Sequence, residues 1–210
     1  AYEIIRSQND ILSFYCVGYT VVKYYMNDYI INNLEGHKAK KIAADVLATF
    51  LPNDVVDGLY ASVHAANLEV ASLTLEPIAA MQVAIPEQYR LLNICLVDVG
   101  AGTSDICITK DGSIIAYGMI PHAGDEITET IVHKCLVEFS MAEKIKQASL
   151  EDKDITYYDI MGLPQVITAE SARALYKDTV ESMTKEIADK IIELNGGKPV
   201  SAVFVVGGGG

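Results

Sequence analysis

The sequence predicts an α/β protein: a lobe of alternating strands and helices over 91–210, a small additional α+β subdomain over 1–73, and a connecting helix within 74–90. Three observations carry this. Residues 91–97 and 201–206 are continuous apolar runs, the pattern of strands buried on both faces. Between them lie stretches with apolar residues at helical spacing, so strand and helix alternate. Residues 14–73 instead carry short tyrosine-rich and β-branched segments around a single helical pattern. At 210 residues, 50% apolar and 21% charged, the chain is long and apolar enough to bury a core and does not read as disordered.

In order along the chain, 14–22 and 24–31 are predicted strands closed by a turn at Asn32-Asn33, and a strand over 41–50 ends at Pro52. Asn53 or Asp54 is placed to cap a helix through Ala66 with Val55, Leu59 and Val63 on its apolar face, and 68–73 reads as a further strand. Residues 76–84 form a helix stopped by Pro86. The strand over 91–97 leads into a glycine-rich stretch, 98–105. A strand over 106–109, a turn at Asp111-Gly112 and a return strand over 114–120 follow. Gly124 opens a helix with Ile127, Ile131, Cys135 and Phe139 on one stripe, and Ser140 opens a second through Ser149. A short insertion over 151–167 is irregular, with two short strands. Thr168 caps a long helix with Leu175, Met183, Ile187, Ile191 and Leu194 inward, and Asn195-Gly196-Gly197 ends it. The last strand is expected to be buried and runs into four glycines.

The chain carries 28 acidic against 16 basic residues, a net charge of −12, with no basic block. Affinity for nucleic acid comes mainly from lysine and arginine on phosphates, so nucleic acid is excluded as the expected partner. No apolar run reaches the roughly 18 residues of a membrane span, and the Ala1-Tyr2-Glu3 start lacks the basic stretch and apolar run of a signal peptide. Cys16, Cys95, Cys107 and Cys135 form no Cys-x-x-Cys pair, and no histidine stands at zinc spacing, so they read as buried thiols in a reducing compartment. The absence of an initial methionine and the terminal glycines make the chain, by expectation, a piece of a longer protein.

Most chemical information lies in Val97-Asp98-Val99-Gly100-Ala101-Gly102-Thr103-Ser104-Asp105. A buried strand ends at an aspartate, followed by two glycines at spacing two, a hydroxyl pair and a second aspartate. Glycines let backbone N–H groups approach an anion closely, and Thr103 and Ser104 can donate to phosphate oxygens. Asp98 repels phosphate but is suited to holding Mg²⁺ through water or to orienting an attacking water. The spacing is neither Walker A nor the dinucleotide fingerprint, since a hairpin follows and not a helix. An ordinary tight hairpin is the alternative. Glu143 and Lys146 share one helical face and have two readings: contacts to a ribose, or a local capping box Ser140-Met141-Ala142-Glu143 beside a solvated lysine.

These pieces, in this order, resemble the actin, sugar-kinase and seventy-kilodalton chaperone ATPase superfamily. Residues 97–106 are similar to its second phosphate motif, Asp-x-Gly-x-Gly-Thr-x-Asp. Residues 203–210 are similar to its adenosine motif, Glu76-Pro77-Ile78-Ala79-Ala80 to its first connecting helix, and Ala142-Glu143-Lys144-Ile145-Lys146 to its nucleoside-contacting helix. Within the superfamily the chain resembles the FtsA family of bacterial cell-division proteins. That likeness is carried by the 98–105 loop, the Asp111-Gly112-Ser113 turn, Ile120-Pro121-His122-Ala123-Gly124-Asp125-Glu126-Ile127-Thr128, and the front unit with Leu51-Pro52-Asn53-Asp54.

The resemblance implies an actin-like (ribonuclease H-like) lobe with FtsA's inserted subdomain over 1–73. It implies ATP and Mg²⁺ as cofactors. Asp98 would organise the metal through water and Glu76 would polarise water. Gly100, Gly102, Thr103, Ser104 and Gly124 would contact phosphates, Glu143 and Lys146 the ribose, and Gly207, Gly208 and Gly209 the adenosine. It implies a cytoplasmic protein, peripheral at the inner face of the membrane through parts not in this chain. Such a protein assembles into filaments as an adaptor for the division ring, with FtsZ or other division proteins as partners and a weak Mg-dependent ATPase in the full-length form. Four departures qualify this: no first phosphate motif and no membrane-tethering helix are found in these residues, the 151–165 region, where FtsA meets FtsZ, is short, and Ala123 stands where a glycine is common. The chain alone is therefore expected to be inactive. The alternatives are a pilus-assembly relative of the PilM type, a chaperone-like reactivating ATPase, a small-molecule phosphotransferase, and a partner-binding module that has lost ATP chemistry.

Overall fold

A computed structural model describes residues 14–31 and 33–209. The chain divides into two units. The first holds the described residues up to Asn93 together with Thr109–Ala116, and the second holds Ile94–Ile108 and Tyr117–Gly210.

The first unit is built on a three-stranded antiparallel sheet of order β2-β1-β3, with β1 Phe14–Met26, β2 Tyr29–Ile31 and β3 Ile42–Pro52. The two predicted strands at its start are one long strand and one short one. The turn falls at Asn27-Asp28, not at Asn32-Asn33, and Asn32 lies outside the described residues. Asn27 and Asp28 both take positive φ, 50° and 70°, as the tight turn of a two-residue hairpin requires and as Asn and Asp tolerate. Two bulges, between Cys16 and Gly18 and between Val21 and Lys23, break the period-two pattern of β1.

Helix α1, Asn53–Ala65, follows directly, but no side chain caps it, because Asn53 already lies within the helix. Its buried residue is Val56. The expected face is one position off, for Val55 and Leu59 are exposed. Residues 68–73 form no strand. Helix α2, Glu76–Ala84, starts with Pro77 in its first turn, where a missing N–H costs nothing. The Arg90 guanidinium caps its other end, donating to the Ile85 carbonyl at 2.9 Å and to the Gln82 carbonyl at 2.8 Å.

The main sheet has order β6-β5-β4-β9: β4 Ile94–Val99, β5 Ser104–Lys110, β6 Ser113–Ile120 and β9 Ala202–Val206. Asp111 and Gly112, at φ 53° and 78°, make the expected hairpin turn. Strands β4 and β9 run parallel, from Ile94 opposite Ala202 to Asp98 opposite Val206. Ile94, Cys95, Leu96, Val97, Ile106, Cys107 and Ile108 are buried, and burial pushes the Cys95 and Cys107 thiols up to about 12. Strand β9, expected to be buried, is not: Val203 and Val205 are 47% and 62% exposed on one face.

Helices α3 (Gly124–Cys135), α4 (Phe139–Leu150) and α5 (Ala169–Leu194) build a second core through Ile131, Ala142, Ile145, Ala172, Tyr176 and Met183. The α3 stripe ends at Cys135, because Leu136 turns left-handed at φ 53°; Phe139 is exposed and opens α4. The insertion is a hairpin of β7 Ile155–Tyr158 and β8 Pro164–Ile167. Thr168 caps α5 as expected, accepting from the Ser171 N–H at 3.1 Å.

Candidate functional site

Three segments of the second unit meet where β4 ends. The loop between β4 and β5 closes on itself, Gly100 N–H donating to the Thr103 carbonyl at 2.9 Å. The start of α3 holds it from one side. Gly124 N–H donates to the Gly100 carbonyl at 3.1 Å and Asp125 N–H to the Ala101 carbonyl at 2.8 Å. The segment after β9 holds it from another, Gly209 N–H donating to the Val99 carbonyl at 2.9 Å.

This contact explains the glycines. A Cβ on Gly207, whose φ is +99°, would lie 2.2 Å from the Val99 carbonyl oxygen and 2.5 Å from Asp98 Oδ1. On Gly209 it would lie 1.8 Å from the Gly100 oxygen, and on Gly124 3.0 Å from the Gly209 Cα. Gly102 and Gly208 have open space around them. Of the three glycines read from sequence as adenosine contacts, Gly207 and Gly209 are thus required by the approach of one chain segment to another.

The loop's hydrogen bonds also sort its donors. Ser104 is fully buried and its hydroxyl donates to the His122 carbonyl at 2.8 Å, so it anchors the loop from inside and does not face outward. Asp105 accepts from the Tyr117 hydroxyl at 2.5 Å. Ala101, Gly102 and Thr103 are exposed, and among the described residues their N–H groups have no backbone partner. Three adjacent amides without a backbone partner, with the Thr103 hydroxyl, are donors available to an oxyanion.

Glu143 and Lys146 lie on one turn of α4, Nζ to Oε1 2.6 Å. The Lys146 ammonium also donates to the Thr128 hydroxyl at 2.8 Å and to the Gly124 carbonyl at 3.2 Å, and the Thr128 hydroxyl donates to Glu143. Burial by itself would raise the Glu143 carboxyl. The hydrogen bonds from Lys146 and Thr128 and the Lys146 charge outweigh it and hold the group below the usual carboxylate range. The capping box is not formed: α4 begins at Phe139, its N-cap Glu138 has no side-chain cap bond, and Ser140 is inside the helix. Sequence reasoning missed Thr128. It stands four residues after Gly124 on the same face of α3, so a helical wheel drawn from Gly124 would have found it.

A cavity of about 820 Å³ opens in this unit, lined among others by Lys146, Leu150, Gly208 and Gly209 and by the apolar Val203 and Val205. Glu76 belongs to the first unit, exposed in the first turn of α2. Among the described residues no group of three His, Cys, Asp or Glu side chains could hold a metal ion, and no helix is long and apolar enough to cross a membrane.

A family model described as cell division protein FtsA matches residues 95–199, half of the 210. The chain belongs to the FtsA family. It is 32% identical over 125 residues to the cell division protein FtsA of Pseudomonas aeruginosa, covering 57% of this chain and 30% of that protein. It is 30% identical over 132 residues to that of Escherichia coli K12 (62% and 31%), and 24% identical over 169 residues to that of Bacillus subtilis (74% and 37%). The chain spans about a third of the length of these FtsA proteins. Among solved structures it is similar to the PilM-PilN type IV pilus biogenesis complex, with TM-score 0.68 at 14% identity over 99% of this chain and 55% of that one. It is also similar to MreB5 of Spiroplasma citri bound to ADP, with TM-score 0.57 at 21% identity over 73% and 53%. These likenesses give the FtsA-family chain an actin-like ATPase fold.

Proposed function

We propose that this chain is the nucleotide-holding part of an FtsA-type cell-division protein, taking ATP with Mg²⁺ and using it to switch assembly into filaments. The observation that carries the reading is the convergence of the 98–104 loop, the α3 start and the 207–209 segment, with three unpaired amides in the loop and Lys146, paired with Glu143, on the Gly124 carbonyl. On this reading the Ala101, Gly102 and Thr103 N–H groups and the Thr103 hydroxyl hold the phosphates. Gly100, Ser104 and Gly124 fix the loop's shape. Glu143 and Lys146 take the ribose hydroxyls, and Gly208 lies against the adenosine. The cavity volume falls within the range of small-molecule sites.

A metal carried by the nucleotide suits this residue set better than one held by the protein alone, since Asp98 is a single carboxylate and would act through water. Mg²⁺, when bound, would neutralise phosphate charge. Asp98 would orient water, giving the full-length protein a weak ATPase. FtsZ or other division proteins are the proposed partners, and attachment at the inner face of the cytoplasmic membrane would come through parts outside these residues.

The test is ATP binding by the full-length protein, by calorimetry with Mg²⁺ present. Lys146→Ala should weaken it by more than tenfold, since a hydrogen bond to a charged group is worth about 1.5–3 kcal/mol and Lys146 also orders Glu143. Unchanged affinity would remove the site. A pilus-assembly role of the PilM type is the second reading, favoured by the TM-score of 0.68 over nearly the whole chain. Pelleting of the full-length protein with ATP, with and without FtsZ, separates the two.

A further inference from the structure

The segment Pro121-His122-Ala123 joins β6 to α3, and its histidine touches parts of the molecule that the site description above leaves unconnected. The His122 carbonyl accepts from the buried Ser104 hydroxyl at 2.8 Å. Two and three residues on, the Gly124 and Asp125 N–H groups hold the Gly100 and Ala101 carbonyls. The His122 ring points the other way, with Nδ1 2.9 Å from Glu186 Oε2 on α5. One residue therefore ties the long helix to the segment that braces the anion loop.

We propose that His122 is a positioning residue whose ion pair with Glu186 makes anion binding at the 98–104 loop depend on pH. This rests on the nucleotide reading above. The groups around the ring are of one sign. Glu126 faces it from α3, and Glu186 and Asp178 from α5, across a cavity of about 400 Å³ that Thr179 and Ser182 also line. The nearby cation on α5, Lys190, packs over Gly118 of β6 with its ammonium on Glu193, so it is turned to another carboxylate. The ring is 45% exposed, so protons reach it freely.

The hydrogen bond to Glu186 is the main cause that raises the His122 pKa; slight burial opposes it, and the Glu186 and Glu126 charges add to the rise. A histidine whose folded pKa is raised has its pair fully formed below the ordinary value near 6.5 and loses it as pH climbs through the raised value. The loop is therefore braced on the mildly acidic side and slackens on the alkaline side.

Two measurements on the full-length protein test this. The first is an NMR titration of the His122 ring. Its midpoint should lie above the ordinary histidine value and fall back toward it in Glu186→Gln. The second is ATP affinity of the parent and His122→Gln at pH ~6 and pH ~8, comparing the two proteins at each pH so that ATP's own titration cancels. An exposed pair supports a ratio of about two- to fivefold in favour of the parent at the lower pH, shrinking to about one at the higher. Glu186→Gln should behave as His122→Gln does, which guards against misfolding of one variant. A ratio equal at both pH values, or a parent His122 that titrates at or below the ordinary value, overturns the role of His122 alone. If the parent binds no ATP at either pH, the nucleotide reading fails and this inference falls with it.

Discussion

Gly209→Ala is the substitution the site geometry penalises most. The new Cβ would sit 1.8 Å from the Gly100 carbonyl oxygen, 2.9 Å from its carbon and 3.1 Å from the Gly124 nitrogen, where ordinary contact begins at 3.4 Å. All three neighbours are backbone, so no side chain can rotate to make room. Relief requires the 207–209 segment to back away from the loop, which breaks the Gly209 N–H bond to Val99. Overpacking of this kind costs about 1–3 kcal/mol, and the lost hydrogen bond about 0.5–1.5 kcal/mol. The sum, about 1.5–4.5 kcal/mol, is a sizeable part of the roughly 5–15 kcal/mol that holds a domain folded. At about 2–4 °C per kcal/mol for a unit of roughly 150–250 residues, the melting transition of the unit that holds the loop should drop by roughly 3–18 °C. Gly208→Ala is the control. Nothing lies within 4 Å of its Cβ position, yet it lines the cavity, so it should melt with the parent and weaken ATP binding. The assay is thermal and urea unfolding of the full-length protein by circular dichroism. A Gly209→Ala protein that melts with the parent, or a Gly208→Ala protein that melts as low, would refute the packing of this segment on the loop.

Three further outcomes are expected. Thr128→Val keeps shape but removes a fully buried hydroxyl bonded to Lys146 and Glu143, so urea unfolding should register a loss of about 1.5–3 kcal/mol, with weaker ATP binding. Glu143 is held below the usual carboxylate range, so its contribution to stability is present above the ordinary value near 4.5 and is lost as pH falls through the depressed one. Glu143→Gln should flatten stability in that acidic window, read by urea unfolding across pH, and the effect is modest because the carboxylate is partly exposed. Arg90→Ala removes the cap on the last turn of α2, two bonds from a charged donor to backbone carbonyls. It should cost about 1–3 kcal/mol and raise amide exchange near Gln82 and Ile85, while Arg90→Lys should recover only part of it.

What could be read in advance follows how strongly each residue's environment is set by its neighbours in sequence. The β4 run, the Asp111-Gly112 turn and the Thr168 cap were legible because continuous apolarity, a positive-φ dipeptide and an N-cap are local signals. The first unit was harder. No residue of β1, β2 or β3 whose burial is described is fully buried, so its pattern carries little contrast, and the bulges at Val17 and Val22 shift the alternation. The α1 face was misread by one position for the same reason: Val55 and Val56 are both apolar, and only the sheet decides which of them points inward. At the candidate site, glycine spacing drew attention to these positions but not to the packing that requires a glycine at two of them. Gly207 and Gly209 are glycine because the Val99 and Gly100 carbonyls press on them, a contact between segments about a hundred residues apart that no local pattern encodes.

The same contacts bear on how an acidic protein could hold an anion. A net charge of −12 opposes binding of an anion, so on the proposed reading attraction comes from local groups: backbone dipoles, the Lys146 ammonium and a metal carried by the nucleotide. The loop commits the Gly100, Gly124, Asp125 and Gly209 N–H groups to its own carbonyls. Those four bonds fix the loop's shape, and they leave the adjacent amides of the exposed Ala101, Gly102 and Thr103 without a backbone partner among the described residues. Shape and affinity are therefore served by different amides. A substitution that strikes the first set, such as Gly209→Ala, should lower stability and binding together, whereas one at an open position, such as Gly102→Ala, should disturb binding with little change in stability. Separation of these two responses is what distinguishes a built anion loop from an ordinary tight turn between strands.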